Sequence, residues 1–117
     1  MSPQINESDL PLIRAEALER VGGDEAFLEE LLDLFGEEFE SKSRALSEAI
    51  SRRDADALRD LGHSIKGAAA NLSLPGLQTA AKAMEQAGTN AQIENARSAL
   101  ETLRREFERL RKFRTGR

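Results

Sequence analysis

One apolar stripe constrains this chain more than any other feature. Phe27, Leu28, Leu31, Leu32, Phe35, Phe39, Leu46 and Ile50 return at helical spacing and keep one face from end to end of the segment. Gly36 and Ser41 to Ser43 are the places for a bend, so the segment reads either as one long helix or as two in succession. No strand pattern appears anywhere. The absence of Trp and Tyr, with only five Phe, leaves little of the aromatic content that sheets favour. The expected fold class is all-α.

The flanking segments read the same way. A short first helix is predicted from about Leu12 to Val21, with Ile13, Ala17, Leu18 and Val21 on its apolar side; it stops at Gly22-Gly23, where a positive φ is available. Asp24 is placed to cap the long segment and Asp54 to cap the next helix, Ala55 to Leu72. Ser73-Leu74-Pro75-Gly76 marks a break, because proline fits a first helical turn but not an interior. Leu77, Ala80, Ala81 and Met84 form the following helix, predicted to stop at Gly88. Thr89 or Asn90 then caps the last, which carries Ile93, Ala96, Leu100, Leu103, Phe107 and Leu110. Short connections make neighbouring helices antiparallel. The expected architecture is an antiparallel up-and-down four-helix bundle with an additional short N-terminal helix laid across one end. Its single domain spans 12–113, between tails at 1–11 and 114–117.

The bulk numbers exclude several classes. A chain of 117 residues with 32% charged and 39% apolar side chains supports one globular domain. It has no cysteine, so disulfides, thiolate metal sites and cysteine nucleophiles are ruled out. The first residues carry neither a basic start nor an apolar core, so no signal peptide is visible, and no apolar run approaches the roughly 18 residues needed to span a bilayer. A cytoplasmic location without membrane insertion is expected. A net charge of −4 argues against a dedicated nucleic-acid binder, although Arg104, Arg105, Arg109, Arg111, Lys112, Arg114 and Arg117 crowd the C-terminal end. The favoured reading of that cluster is a solvated helix end whose cations complement the macrodipole; a nucleic-acid or membrane patch is the alternative. Because every apolar stripe has an internal use in this scheme, a monomer is expected.

His63 is the only histidine. With about 100° per residue and Leu58 as zero, Leu61, Ile65, Ala68 and Leu72 fall between roughly 280° and 340°, while His63 falls near about 140°. Asp56, Arg59, Lys66, Gly67 and Ala70 share its outward arc. The imidazole therefore stands in water beside one long cation, on a surface otherwise reduced to small side chains. Gly62 and Gly67 each cost about 1 kcal/mol inside a helix. Close approach of a neighbouring helix accounts for Gly62, whereas Gly67 points outward, where it either leaves room for a partner or is merely tolerated. A lone imidazole lacks a metal-ligand set, and Ser64 is turned too far from it for a hydrolytic triad. Two readings of His63 then stand: an ordinary solvated side chain, or a ring nitrogen that attacks an electrophile such as phosphorus, with Lys66 neutralising the arriving oxygens.

The segment His63-x-x-Lys66-Gly67, preceded by Ala57-Leu58-Arg59-Asp60-Leu61-Gly62 and followed by Ala68-Ala69-Ala70-Asn71-Leu72, resembles the histidine-containing phosphotransfer (HPt) domain of bacterial multistep phosphorelays. The upstream Ala17-Leu18-Glu19-Arg20-Val21-Gly22-Gly23-Asp24, with Phe27-Leu28-x-x-Leu31-Leu32-x-x-Phe35, is similar to the same family, and the likeness covers about Leu12 to Leu110. It implies a phosphoryl carrier that takes the group from a receiver-domain aspartyl phosphate and hands it to another receiver aspartate. The resemblance makes His63 the phosphoacceptor through Nε2 and Lys66 the steadying cation. Arg59, Gly67 and Ala70 become the docking surface. Glu85, with Gln86 as a nearby substitute, is the residue that accepts the Nδ1 proton and fixes the tautomer. The family often has glycine where Ser73 stands, so a changed loop is expected there. No nucleotide motif appears, so the chain is not expected to be an ATP-dependent kinase by itself. No cofactor is expected on this chain; Mg2+ is expected on the receiver. The receivers themselves are the expected partners, whether free or within a hybrid histidine kinase. The competing reading is an adaptor that binds receivers or kinases without carrying phosphate.

Overall fold

A computed structural model describes residues 6–116. Residues 1–5 and Arg117, which belong to the two expected tails, lie outside the described residues. A 3-10 turn at Glu7–Asp9 leads into α1 (Arg14–Arg20), α2 (Glu25–Arg52), α3 (Ala55–Asn71), α4 (Pro75–Thr89) and α5 (Ile93–Thr115). There is no strand among the described residues, as the periodicity requires.

The long apolar segment is one unbroken helix of 28 residues, with no interruption at Gly36 or at Ser41 to Ser43. Asp24 caps it by accepting from the Phe27 amide at 3.0 Å, and Asp54 caps α3 from the Ala57 amide at 3.1 Å. Contacts fix the helix directions. Lys42 of α2 meets Ser64 of α3 across a tight turn. Gly62 of α3 faces Ala81 and Glu85 of α4, while Ala55 and Arg59 face Gly88. Glu29, Gly36 and Ser43 of α2 meet Arg114, Phe107 and Arg104 of α5. Each of these pairings runs in opposite senses, consistent with the expected up-and-down arrangement. Leu28, Leu32, Phe35, Leu46, Leu58, Ile65, Leu77, Met84 and Leu103 fill the interior between them, and Phe39 stacks on Phe107 with centroids 4.4 Å apart.

The three turns that join α2 through α5 use one device. Arg53, Ser73 and Ala91 each take a left-handed φ, of 56°, 57° and 53°. In each case the next amide reaches back to close the helix end: Asp54 to Ala49 at 2.9 Å, Leu74 to Ala69 at 2.9 Å and Gln92 to Ala87 at 2.8 Å. Only the α1–α2 turn uses the expected glycines, Gly22 and Gly23, at 69° and 82°. Ser73 thus takes up the backbone conformation that a glycine adopts without penalty. Its hydroxyl, 3.2 Å from a Glu16 carboxylate oxygen, ties the turn to α1.

Three local expectations are corrected. Gly88 does not end α4; it is buried inside the helix, and the chain leaves the helix after Thr89. Neither Thr89 nor Asn90 caps α5, which begins after Gln92 without a side-chain cap; the Thr89 hydroxyl instead donates to the Glu85 carbonyl. α5 also runs past the expected boundary at 113. Arg114 is held by Glu29 at 2.6 Å and Asp33 at 2.9 Å, and Glu29 also accepts from Arg14 of α1 at 3.0 Å. Both arginines hold the Glu29 carboxyl below the usual range, the Arg114 hydrogen bond most of all. Arg114, expected to begin a tail, therefore helps to tie the ends of α1, α2 and α5 together.

Candidate functional site

His63 projects from the middle of α3 with its side chain 70% exposed. The buried side of α3 is formed by Leu58, Gly62, Ile65 and Ala69, so the imidazole leaves from nearly the opposite face. Its Nδ1 lies 2.7 Å from Oε2 of Glu85 on α4, and the other carboxylate oxygen accepts from the Lys66 ammonium at 2.6 Å. The Glu85 side chain is only 21% exposed. Its carboxyl is held below the usual glutamate range, first by the Lys66 hydrogen bond and then by His63. Glu85 is thus an anion with both oxygens engaged. An ionised carboxylate can only accept, so the hydrogen-bond pattern assigns the ring proton to Nδ1. That leaves the lone pair of a neutral imidazole on Nε2, for which no hydrogen-bond partner exists among the described residues.

Of the residues singled out in the sequence, the structure brings His63, Lys66 and Glu85 together. Gln86 is not part of the group: it is exposed and lines the groove between α4 and α5. Gly67 is exposed, with open space where a side chain would stand. Ala70 is half-buried rather than free, and its carbonyl accepts from the Arg20 guanidinium of α1. Arg59 is exposed and spends its charge on Asp56 and Asp60, at 3.4 and 3.2 Å, within its own helix. Lys66 reaches Glu85 rather than the Nε2 side of the ring, so the cation and the histidine share one anion.

The structure adds a feature that the sequence pattern concealed. Phe27 was expected on the core stripe of α2, but it is 45% exposed, and Leu34, which the stripe did not include, is 49% exposed. With Leu28 as zero, Leu32, Phe35 and Phe39 stay within about 40°, whereas Phe27, Leu31 and Leu34 fall at roughly 240° to 300°. This second stripe borders a groove of about 470 Å³ whose other wall is Ala68 and Asn71 of α3 with Leu72 just beyond its end. The breadth of the apolar set was visible in the sequence, and it exceeds what one helix contact covers. The idea that every apolar stripe is used internally is therefore wrong for this one. Lys42, a further residue not singled out, donates to Ser64 beside the histidine at 2.8 Å.

Three cations of the basic C-terminal segment are neutralised by carboxylates. Arg109 pairs with Glu106, Arg111 with Glu108, and Arg114 with Glu29 and Asp33. Among the described residues, no group of three or more His, Asp or Glu side chains is placed to hold a metal ion, and no helix is long and apolar enough to cross a membrane.

A helical frame that presents one imidazole, with Nδ1 held by a carboxylate and Nε2 open to solvent, has the form of a histidine phosphocarrier. The family model described as the Hpt domain matches residues 30–113, and the chain belongs to that family. Among solved structures it is similar to histidine-containing phosphotransfer protein B (HptB) from Pseudomonas aeruginosa PAO1. The two share 28% identity over 88% of this chain and 90% of that one, with a TM-score of 0.81. No curated protein matches the sequence. Members of this family serve phosphorelays as phosphotransfer modules rather than as kinases, and they interact with receiver domains.

Proposed function

We propose that this chain is a phosphorelay intermediate that accepts a phosphoryl group on Nε2 of His63 from a receiver-domain aspartyl phosphate and passes it to another receiver aspartate. The Nε2 lone pair attacks phosphorus, a P–N bond forms as the aspartyl P–O bond breaks, and the partner's carboxylate leaves. The second transfer is the reverse at a different aspartate. The proton on Nδ1 stays where it is throughout. As the ring gains positive charge, the Glu85 carboxylate beside Nδ1 balances it, and the flexible Lys66 side chain turns from Glu85 to the incoming phosphoryl oxygens.

The antiparallel up-and-down four-helix bundle, with α1 as its short additional helix, is the rigid support for this chemistry. Docking uses the open ground at Gly67, with half-buried Ala70 at its edge, the exposed Arg59, which trades its Asp56 and Asp60 partners for the receiver, and the neighbouring apolar stripe of Phe27, Leu31 and Leu34. Magnesium comes with the receiver rather than with this chain. The protein acts in the cytoplasm as a monomer, alone or beside a hybrid histidine kinase.

The observation that carries the proposal is the exposed ring of His63 with its Nδ1 on Glu85 at 2.7 Å. A radiolabelled, phosphorylated receiver incubated with the protein tests it. Wild type is expected to acquire an acid-labile label and His63→Gln none. Equal labelling of His63→Gln overturns the assignment. So does binding of the receiver without any label on wild type, which would make the chain a non-phosphorylated adaptor.

A further inference from the structure

The residue before the histidine is a glycine, and the structure shows what it touches. A Cβ added to Gly62 would lie 2.6 Å from the backbone nitrogen of Glu85, 3.0 Å from its Cα and 3.1 Å from the carbonyl oxygen of Ala81. These neighbours are α4 main chain, which cannot turn aside as a flexible side chain can. At the other end of the same contact the roles reverse. Gly88 of α4 lies against the backbone of Ala55 and Arg59 of α3, again closer than any Cβ allows. Each helix therefore contributes one glycine to the seam, and the two axes come nearer than alanine would permit. Interior glycines weaken a helix, and no other helical glycine among the described residues faces main chain: Gly36 meets only ordinary contacts, at 3.5 Å and beyond, Gly67 faces open space, and Gly76 meets the flexible end of the Glu106 side chain.

We infer that Gly62 and Gly88 are positioning residues for the phosphotransfer site: the glycine seam between α3 and α4 sets the distance at which the Glu85 carboxylate reaches Nδ1 of His63. Gly62 lies directly against the backbone of Glu85, and Glu85 must span from α4 to two groups on α3 at once, at 2.7 Å to His63 and 2.6 Å to Lys66. Moving α4 outward by the few tenths of an ångström to one ångström that a methyl demands would leave both bonds long. A hydrogen bond at 3.6 Å is no longer one. The imidazole would then be free to carry its proton on either nitrogen, and part of the population would hold the proton on the nitrogen that has to attack.

This inference rests on the phosphocarrier reading, but its test does not depend on transfer. His63 is the sole histidine, so ¹⁵N labelling of histidine gives ring-nitrogen signals from one residue, and they report the tautomer directly. In the neutral ring of wild type, the Nδ1–H form is expected to dominate. In Gly62→Ala and in Gly88→Ala, the ratio of Nδ1–H to Nε2–H is expected to fall about tenfold, as for loss of one charge-assisted hydrogen bond. Leu103→Ala, a cavity in the α5 core away from the seam, serves as the destabilised control and leaves the tautomer unchanged. Glu85→Asp retracts the carboxylate by one methylene without touching the seam, and it is expected to reproduce the shift even if the alanine variants fold poorly. Transfer kinetics add a cycle: Glu85→Ala should slow transfer in the wild-type background and change little in Gly62→Ala. A wild-type tautomer ratio in a folded seam variant overturns the inference, as does an unshifted ratio in Glu85→Asp or an equal cost of Glu85→Ala in both backgrounds. Failure of the phosphocarrier reading would appear separately, as labelling of His63→Gln.

Discussion

The two flanks of α3 are built on different principles. Toward α4 the contact is made by backbone on glycine, and one partly buried carboxylate bridges to His63 and Lys66. Toward α2 the contact is made by side chains, and it leaves Phe27 and Leu34 exposed with a single hydroxyl–ammonium bond between Ser64 and Lys42. A backbone seam has few soft degrees of freedom, so it suits a task in which tenths of an ångström decide a hydrogen bond. An exposed apolar stripe can be covered by a partner and uncovered again, which suits reversible docking. One helix thus presents a rigid flank suited to chemistry and an adaptable flank suited to recognition, with the imidazole between them.

This contrast can be broken experimentally, and the largest effect is expected on the open ground between the flanks. Gly67→Gln fills the space beside His63 and should slow phosphoryl transfer by one to two orders of magnitude, roughly the cost of a blocked contact at an interface centre, with unchanged helicity by circular dichroism. An unaltered transfer rate would remove the docking role of that glycine. On the α2 flank, Phe27→Ala combined with Leu34→Ala should weaken receiver binding about tenfold, or ~1.4 kcal/mol. Thermal stability should move little, because both side chains are already about half exposed. A large loss of melting temperature with unaltered binding would assign the stripe to the fold instead.

The α4 flank carries the pH dependence. Its key carboxyl, Glu85, has a folded-state value depressed by Lys66 and His63. The stability it contributes is therefore fully present above the unfolded glutamate value of about 4.3, and it is lost as the pH falls through the depressed folded value. Wild type should lose melting temperature more steeply below that point than Glu85→Gln, and superimposable acid limbs would show that the bridge adds nothing to folding. The smallest effect belongs to the α2 flank once more: Lys42→Ala should change stability by no more than about 0.5 kcal/mol, as for other exposed polar pairs. A cost above ~1.5 kcal/mol in urea denaturation would mean that this flank, too, depends on a specific bond.

Much of this was legible from the residues, and the misses have physical reasons. The capping by Asp24 and Asp54 was readable because a cap is a local event, decided within three residues. The outward aspect of His63 followed from helical periodicity alone. Gly88 was misread because glycine serves two unrelated purposes: it relaxes the backbone at helix ends and it removes a side chain where two helices touch. Only the neighbour across the contact, here Ala55 and Arg59, tells them apart. Conversely, Ala91 gave no sign of a left-handed turn, because the closing bond from Gln92 to Ala87 outweighs its local preference. Arg114 looked like tail because its partners, Glu29 and Asp33, lie at the far end of the sequence. The apolar count in α2 could not be divided between core and surface without knowing which neighbours cover it.

The sequence by itself determined what is periodic or local: the helices, most of their ends, and a solitary imidazole set against the apolar side of α3. Tertiary structure alone decided what depends on distance between segments. It brought the Glu85 carboxylate within reach of both Nδ1 and Lys66, seated α4 on Gly62, and left Phe27 and Leu34 outside. The division follows from the range of the forces involved, since a helix is fixed by bonds four residues apart, whereas a shared carboxylate depends on how closely two whole helices can approach.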